Sequence, residues 1–292
     1  MYSNKMDHYN LWHNIFENLG FKTCLSLVIS SAIFKNNLTI THMMDYNNSQ
    51  IDRLATQDIL ELDLFKNMKT IWTEAKIKNI SFLKHLKHLY IVGAYDITED
   101  QIRNLNLIDF LIDNNSKIKN ISFMKCLKNL FIYHDSDIDQ DGIQGLDLNK
   151  LRMSNDKIKD VSFMRNLKVL DAYYCDNLDQ NGISGLDLVE LKIDGCEKIR
   201  DVSLMKNLKI LSVCGNCGVD QAGIANLDLI VLFANSNEKI TNVSFMKNLE
   251  VLGAIGSCGI DQNGIAGLNL IELRCAGNLK ITDESYDKIL IS

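Results

Sequence analysis

One short phrase recurs along the chain at a nearly constant interval, and it constrains the fold more than any other feature. The phrase reads Asp-Val-Ser-Phe-Met-Arg-Asn-Leu at residues 160–167, and close copies begin at Asn79, Asn120, Asp201 and Asn242. Its fourth position falls at residues 82, 123, 163, 204 and 245, so the interval is 40 or 41 residues. A fixed period of this size indicates stacked structural repeats that share one continuous core.

Each 41-residue unit contains two copies of the frame Leu-x-x-Leu-x-Leu-x-x-Asn/Cys. Turns in this frame begin at Leu86, Leu107, Leu127, Leu148, Leu167, Leu188, Leu208, Leu229, Leu249 and Leu270. From about residue 60 to the end, the chain resembles the leucine-rich-repeat family in this frame. The resemblance implies an α/β leucine-rich-repeat solenoid (a horseshoe), with short parallel strands on the concave face and short helices or 3-10 turns on the convex face. We expect about eleven turns of 20–21 residues across residues 51–279.

The frame also predicts which residues face the core. Positions 1, 4 and 6 should point inward, and the side chain at position 9 should lie inside the turn, where it satisfies backbone groups of the loop. Position 9 is occupied by Asn115, Asp135, Asp156, Cys175, Cys196, Asn216, Asn237, Ser257 and Asn278. The recurring phrase falls on the convex return between strands, where we expect Val161, Phe163 and Leu167 to face the core.

The first 50 residues do not follow the frame. Leu11, Ile15 and Leu19 occur at helical spacing, and a second apolar segment that includes Leu25 follows. The pattern predicts a small helical segment over residues 1–50. Such a segment can act as an amino-terminal cap, because the open end of a solenoid core must be covered.

The same apolar positions resemble a degenerate F-box, the helical module that docks substrate receptors of ubiquitin ligases onto a Skp1-type adaptor. The usual Leu-Pro opening of the F-box is absent, because the chain contains no proline. F-boxes are commonly followed by leucine-rich repeats, and F-box/leucine-rich-repeat proteins of this kind are also encoded by large DNA viruses. The resemblance implies that the adaptor-binding residues are Leu11, Ile15, Phe16, Leu19 and Leu25. The cap and the F-box remain alternatives at this stage.

Composition and charge argue against several classes of function. The net charge of −6 and the pI near 5.5 argue against nucleic-acid binding, which normally requires a basic surface. No apolar run is long enough to span a bilayer, and the amino terminus lacks a secretory signal. Eight cysteines without such a signal favour reduced thiols and a cytoplasmic location, which would be the host-cell cytoplasm if the chain is viral. Residues 280–292 carry charges at core positions, as expected for a carboxy-terminal capping turn.

Two motifs suggest metal chemistry, and both are incomplete. Residues 137–142 begin like an EF-hand loop, but the twelfth position is Leu148 rather than the bidentate glutamate. Cys214 and Cys217 form a Cys-x-x-Cys pair, but the frame places one on the concave strand and the other beyond the turn. No catalytic motif is recognisable, so we expect no metal, no cofactor and no enzymatic activity.

The concave face remains as the candidate functional surface, because solenoids bind partners there. Its middle turns combine aromatic and charged residues, and tyrosine and arginine are typical of interface hot spots. The predicted partner-binding residues are Tyr90, Phe131, Tyr133, His134, Arg152, Asp171, Tyr173, Tyr174, Lys192 and Phe233. The alternative is that these aromatic residues only pair across strands and stabilise the sheet. A partner protein on this face would make the chain either an F-box-type substrate receptor of a ubiquitin ligase or a stand-alone scaffold similar to phosphatase-regulating repeat proteins.

Overall fold

The structure, a computed structural model, describes residues 42–45, 69–73, 80–81, 83–93 and 97–282. Within these residues, twelve short parallel strands form one sheet in which the spatial order equals the order in sequence. The strands are β1 (His42–Asp45), β2 (Thr70–Thr73), β3 (His88–Val92), β4 (Asp109–Asp113), β5 (Asn129–Tyr133), β6 (Lys150–Met153), β7 (Val169–Ala172), β8 (Glu190–Lys192), β9 (Ile210–Ser212), β10 (Val231–Phe233), β11 (Val251–Gly253) and β12 (Glu272–Arg274). Parallel neighbours require the chain to return after every strand, which is the geometry of a solenoid. The predicted α/β leucine-rich-repeat fold is confirmed.

The predicted terminal segments are described only in part. β1 lies inside the segment 1–50 and pairs in parallel with β2. The remaining positions of that segment lie outside the described residues, and they include the predicted adaptor-binding residues Leu11, Ile15, Phe16, Leu19 and Leu25. The capping turn predicted at 280–292 is described only as far as Thr282. The domain boundaries therefore stay predictions.

The strands alternate between the core and the concave face as the frame requires. In β5, Leu130 and Ile132 are fully buried, whereas Phe131 and Tyr133 are half-buried on the concave side. Leu130 lies in register with the fully buried Leu151 of β6, so position 4 forms a continuous ladder along the core. Each buried leucine contributes roughly 1.5–3 kcal/mol of hydrophobic stabilisation. This repeated burial holds strands of only three to five residues in place.

Strands β5, β7, β9 and β11 are followed by a return built on Asp-Gln-x-Gly, here called the glycine return. It contains the 3-10 helices Asp141–Ile143, Asn181–Ile183, Ala222–Ile224 and Asn263–Ile265, and the strand β3 is followed instead by the one described α-helix, α1 (Glu99–Ile102). In the first glycine return, the Asp139 carboxylate accepts the N–H of Gly142 at 3.0 Å. A Cβ at Gly142 would overlap the carbonyl oxygen of Lys119 on the preceding return, so only glycine fits there.

The glutamine of this motif joins each glycine return to the next return along the chain. Gln140 Nε2 donates to the carbonyl of Asp160 at 2.9 Å. The Oε1 atom of Gln140 accepts the N–H groups of Lys159 and Asp160 at 3.0 and 2.9 Å. Gln180 and Gln221 repeat these contacts. The oxygen-rich segment that looks like part of an EF-hand loop therefore serves the packing of the repeat.

Strands β4, β6, β8 and β10 are followed by the recurring phrase, here called the methionine return. The N–H of Val161 donates to the carbonyl of Gly182 on the following glycine return at 2.8 Å. The N–H groups of Met164 and Leu167 each bond a carbonyl three residues earlier, at 3.0 and 2.9 Å. Winding of this kind brings every third residue to the same side. Val161, Met164 and Leu167 are accordingly all fully buried.

The winding also explains why one residue of the phrase departs from its prediction. Val161 and Leu167 face the core as expected, but Phe163 is half-buried and packs against the outside of the core. The equivalent residues Phe245 and Leu204 are 41% and 82% exposed. Methionine, not phenylalanine, is the core residue of this return.

Each described turn between a strand and the following return buries one side chain. This buried residue is at position 9 in only some of the turns. Asn115, Cys175, Cys196, Asn237 and Asn278 are buried there as predicted. The prediction is wrong for Asp135, Asp156, Asn216 and Ser257, which are exposed, and the residues buried beside them are Ser136, Asn155, Cys217 and Cys258. Burial of an ionised aspartate without a partner is unfavourable, so at Asp135 and Asp156 a neutral neighbour takes the inward position.

Candidate partner-binding surface

The structure divides the predicted concave-face residues into a centre and two outlying members. The centre lies on β5–β8 and the turns that follow these strands, and it is here called the central concave patch: Phe131, Tyr133, His134, Arg152, Asp171, Tyr173, Tyr174 and Lys192. Tyr90 lies on β3, before the patch, and Phe233 lies on β10, beyond it.

A row of side chains crosses the patch at right angles to the strands. Parallel register aligns Phe131, Arg152, Asp171 and Lys192 on neighbouring strands. Arg152 Nε lies 3.5 Å from Asp171 Oδ2, and Lys192 Nζ lies 2.8 Å from Glu190 Oε1. Burial raises the pKa of the Asp171 carboxyl, although the positive charges of Arg152 and Lys192 oppose this shift. Each charged side chain of this row has an oppositely charged neighbour within the sheet. The row would therefore present a partner with side chains of fixed position rather than with an unpaired charge.

Tyr133 and His134 lie on the side of the patch that faces β4. Burial raises the pKa of the half-buried Tyr133 hydroxyl, and the charge and hydrogen bond of Arg152 partly oppose it. His134 Nδ1 lies 2.6 Å from Asp113 Oδ1, while 68% of the His134 side chain is exposed. His134 also has a left-handed backbone, with φ of 44°.

Tyr173 and Tyr174 form an exposed aromatic pair at the other side of the patch. Their ring centroids are 4.4 Å apart, and the ring planes meet at 90°. The two residues are 51% and 60% exposed. Tyr174 has a φ of 50°, and its ring lies against Gly195 of the next turn, where a Cβ would overlap it. The backbone of Gly195 therefore backs the pair on one side, and solvent covers much of the rest.

Left-handed residues recur at position 8 of the leucine frame, where a strand turns into its return. Those at this position are Gly93, Asn114, His134, Tyr174, Gly195, Gly215, Ser236, Gly256 and Gly277, and the other described ones, Gly145, Gly185, Asn226 and Gly267, lie in the glycine returns. Glycine adopts this conformation freely, whereas another residue in it is disfavoured by about 1–2 kcal/mol. A tyrosine at this position is therefore the least expected residue of the column.

Tyr90 belongs to a separate hydrogen-bonded cluster. Its hydroxyl donates to Asp109 Oδ2 at 3.2 Å, and the same oxygen lies 2.6 Å from His88 Nδ1. Asn129 Nδ2 donates to the other oxygen, Asp109 Oδ1, at 2.6 Å. Burial, followed by the Asp109 charge, raises the pKa of Tyr90 to about 12. The phenol of Tyr90 is thus engaged inside the protein.

Phe233 is likewise engaged with its neighbours. The Arg274 guanidinium lies over the Phe233 ring, 5.6 Å from its centroid, and Arg274 Nε bonds Glu272 Oε1 at 2.5 Å. A Cβ at Gly253 would lie 2.7 Å from Phe233 Cδ1, so the ring covers that glycine. Phe233 therefore covers the sheet at its carboxy-terminal end, apart from the central concave patch.

Three carboxylates that organise this face are not among the predicted site residues. Asp109 centres the Tyr90 cluster, Asp113 holds His134, and Asp194 accepts both the Ser212 hydroxyl and the Cys214 N–H at 2.7 Å. Asp113 and Asp194 occupy position 7, the column that contains Tyr133 and Tyr173. The leucine frame could therefore have identified Asp113 and Asp194 at position 7. It could have identified Asp109 if position 3 had also been considered.

None of the described cysteines forms a disulfide, and most of them are buried. Burial raises the pKa values of Cys175, Cys196 and Cys217 to about 12, 11 and 12, so these thiols stay protonated. Cys217 is fully buried, whereas Cys214 is half-exposed. In the part of the chain that the structure describes, no group of three or more His, Cys, Asp or Glu side chains is placed to hold a metal ion. The described helices are all too short to cross a membrane.

Comparison with known proteins supports the fold. No family model and no curated protein matches the sequence. A solved chain from the yeast Rad7–Elc1 complex shares the architecture with a TM-score of 0.50 and 18% identity, over 75% of this chain and 72% of that one. An internalin, InlF, from Listeria monocytogenes gives a TM-score of 0.49 and 17% identity, over 86% and 77% of the two chains. The functional domain of InlJ from the same bacterium gives 0.47 and 17%, over 77% and 53%.

These neighbours are leucine-rich-repeat proteins, and the identity between them and this chain is low. A likeness of this degree concerns the architecture. In its architecture, the protein is thus a leucine-rich-repeat solenoid.

Proposed function

We propose that this protein binds a partner protein on its concave face, through the central concave patch. The observation that carries the proposal is the Tyr173–Tyr174 pair, which follows the carboxyl end of β7. About half of the surface of each residue is exposed to solvent. Tyrosine is enriched at interface hot spots, because its ring offers a large contact area with a polar tip. Solenoids use this face for partners, and the patch lies near its middle.

The alternative, in which the aromatic residues only stabilise the sheet, explains some of the patch but not the pair. Phe131 is half-buried with Lys150 Nζ 5.8 Å from its ring centroid, and Tyr133 is half-buried against Arg152. These two rings gain from packing on the sheet. Tyr174 instead combines high exposure with an unfavourable backbone conformation, which argues for a role outside folding.

Affinity purification with three versions of the full-length protein tests the proposal. They are the wild type, the double variant Tyr173→Ala/Tyr174→Gly, and a convex-face control, Phe245→Ala, which removes a ring that is 41% exposed. We expect a partner that wild type and control capture equally and that the double variant binds roughly thirtyfold more weakly, since loss of a hot spot costs about 2 kcal/mol or more. Thermal melting should show that all three are folded. A set of partners shared by all three folded versions would contradict the proposal.

We further propose that the protein is a substrate receptor, in which residues 1–50 bind a Skp1-type adaptor of a ubiquitin ligase. The support is the F-box resemblance of Leu11, Ile15, Phe16, Leu19 and Leu25. A solved structure with a similar solenoid comes from a complex of two proteins, Rad7 and Elc1. The competing proposal is a stand-alone scaffold, whose terminal segment only caps the core.

Binding of the full-length protein to purified Skp1 separates these two proposals. We expect wild type to bind, and the variant Ile15→Glu/Phe16→Glu to bind at least tenfold more weakly, because a charge in an apolar docking surface is unfavourable. The Tyr173→Ala/Tyr174→Gly variant serves as the control and should bind Skp1 like the wild type. Absence of Skp1 binding by the wild type would leave the stand-alone scaffold.

A further inference from the structure

We infer that the Tyr173–Tyr174 pair receives one cationic side chain, arginine or lysine, of the partner protein. The inference rests on the proposed function and adds to it the chemistry of the partner residue. Two features of the same corner carry it: the geometry of the rings and the charge of the residues around them.

The ring geometry provides an open aromatic corner. The two rings stand at 90° with their centroids 4.4 Å apart, and Gly195 backs Tyr174. Cations are attracted to an aromatic face within about 6 Å of its centroid, and exposed tyrosines take part in such contacts. The chain's own cations do this elsewhere on the sheet, at Phe131 and Phe233. Within the described residues, no lysine or arginine lies over either ring of the pair.

The surroundings of the corner carry unmatched negative charge. Asp156 Oδ1 accepts the N–H of Asp176 at 2.7 Å, which brings these two acidic residues together beside the pair. The pKa of Tyr173 is raised, first by its hydrogen bond with Tyr174 and also by the charge of Asp194. None of the ion pairs in the described part of the chain includes Asp156, Asp176 or Asp194.

Two carboxylates elsewhere on the same rim have an ion-pair partner, unlike Asp156, Asp176 and Asp194. Asp113 is paired with His134, and Asp137 is paired with Lys157. The lysine that corresponds to Lys157 in the turn after the aromatic pair is Lys198. Among the described residues, the Lys198 side chain makes no hydrogen bond or ion pair, although its equivalent Lys239 donates to a carbonyl of the preceding turn at 2.8 Å. The repeat's own cation therefore does not compensate the charge at the corner.

Only a cationic side chain satisfies both features. An apolar side chain would contact the rings but would leave the carboxylates without an opposite charge. An acidic side chain would be repelled by Asp156, Asp176 and Asp194. Arginine can stack on a ring and hydrogen bond a carboxylate at the same time, and lysine can place its ammonium group over a ring.

The inference can be tested with full-length protein labelled with 3-fluorotyrosine and observed by 19F NMR. The signals of the pair are assigned with Tyr173→Phe and Tyr174→Phe. The probes are the capped tripeptides acetyl-Gly-Arg-Gly-amide and acetyl-Gly-Lys-Gly-amide, with acetyl-Gly-norleucine-Gly-amide as the neutral control. We expect a cationic peptide to shift both signals along a saturating curve, with an affinity at least roughly fivefold above that of the norleucine peptide, in line with the strength of cation–π contacts.

Two carboxyl variants sharpen the test. Asp194→Asn removes a charge but keeps an oxygen that can accept from Ser212 and Cys214, and it should weaken the cationic peptides roughly threefold or more. Glu272→Gln, on the concave face outside the central concave patch, should change nothing. Equal affinity for the neutral peptide, or shifts that miss both tyrosines, would overturn the inference.

Failure of this inference can be told apart from failure of the proposed function. If a partner is lost with Tyr173→Ala/Tyr174→Gly but no cationic peptide binds and Asp194→Asn captures the partner normally, concave binding stands and the cation subsite is wrong. If no partner depends on the pair, concave binding itself is wrong, whatever the peptides show.

Discussion

The concave face over β5–β8 and the concave face over β9–β12 share one core and the same two kinds of return, but they differ in their turns. The turns after β5 and β7 place His134 and Tyr174 in left-handed backbone, whereas those after β9, β11 and β12 place Gly215, Gly256 and Gly277 there. Each region has one exception, Gly195 after β8 and Ser236 after β10. Glycine removes the strain, so the second region shows what folding alone favours. The first region carries side chains at this position that are not needed for folding. The difference supports the proposal that the partner binds over β5–β8.

The largest expected effect tests whether the two regions truly share a core. Leu170 of β7 and Leu252 of β11 are both fully buried at position 4. We expect Leu170→Ala and Leu252→Ala each to lower the free energy of unfolding by about 2–5 kcal/mol, because each leaves a cavity. Urea denaturation followed by circular dichroism gives both values. A loss below about 1 kcal/mol in one region would show that the two cores are packed differently.

The next effect tests the convex returns. A Cβ at Gly142 would overlap the carbonyl oxygen of Lys119, and one at Gly264 would overlap that of Thr241. Gly142→Ala and Gly264→Ala should each cost about 1–3 kcal/mol, as overpacking does. Asn263→Ala is a matched control, because alanine already occupies the equivalent position at Ala222, and it should stay within about 0.5 kcal/mol of wild type in the same urea experiment. Unequal losses at the two glycines would mean that the returns are not equivalent.

A smaller effect addresses the turns in which the two regions differ. Tyr174→Gly relieves the left-handed conformation and should leave the protein about 0–1 kcal/mol more stable, since the lost ring contacts are half-exposed. The converse change, Gly277→Ala, should cost about 1 kcal/mol. Thermal and urea unfolding of both variants provide the measurement. Marked destabilisation by Tyr174→Gly would make the tyrosine a structural residue and would remove the contrast between the regions.

The smallest effect is a pH dependence at Tyr90, which lies outside both regions. Its pKa is raised to about 12 from 10.0, with burial as the first cause and the Asp109 charge as the second. The raised value favours the neutral phenol in the folded protein, so the contribution of Tyr90 to stability is complete below the unfolded pKa and is lost as pH rises through the folded pKa. Ultraviolet difference titration of wild type against Tyr90→Phe should show one phenol that ionises late. A phenol that ionises near 10 would show that the Tyr90 cluster does not form.

Much of the fold could be predicted from the sequence, because hydrophobic period and turn chemistry act locally. The strand register, the core leucines and the glycine returns all follow from spacing. The sequence did not show that Met164 rather than Phe163 enters the core, since both are apolar and only the winding of the return distinguishes them. The sequence also did not show that Ser136, one residue after position 9, is the buried residue of its turn. Which residue is buried there depends on the cost of removing the Asp135 carboxylate from water.

The candidate site could be predicted only as a set of positions. The frame brings Arg152 and Asp171 side by side, and the structure confirms their register. The frame does not reveal that Tyr90 is engaged by Asp109 or that Tyr174 sits in left-handed backbone. Those properties arise from side-chain contacts between turns about 20 residues apart and from the dihedral angles of single residues.

The two kinds of link between returns limit how a protein of this design can change its length. A glycine return holds the next return through its glutamine, as Gln140 does, and a methionine return holds the next through a backbone bond, as Val161 does with Gly182. Insertion of one turn would place two returns of the same kind side by side, and one kind of link would be missing. Duplication of two turns together keeps every link. The sheet can therefore lengthen in steps of about 10 Å, two strand spacings at a time, and each step adds a fresh pair of concave strands whose outward residues are free to diverge.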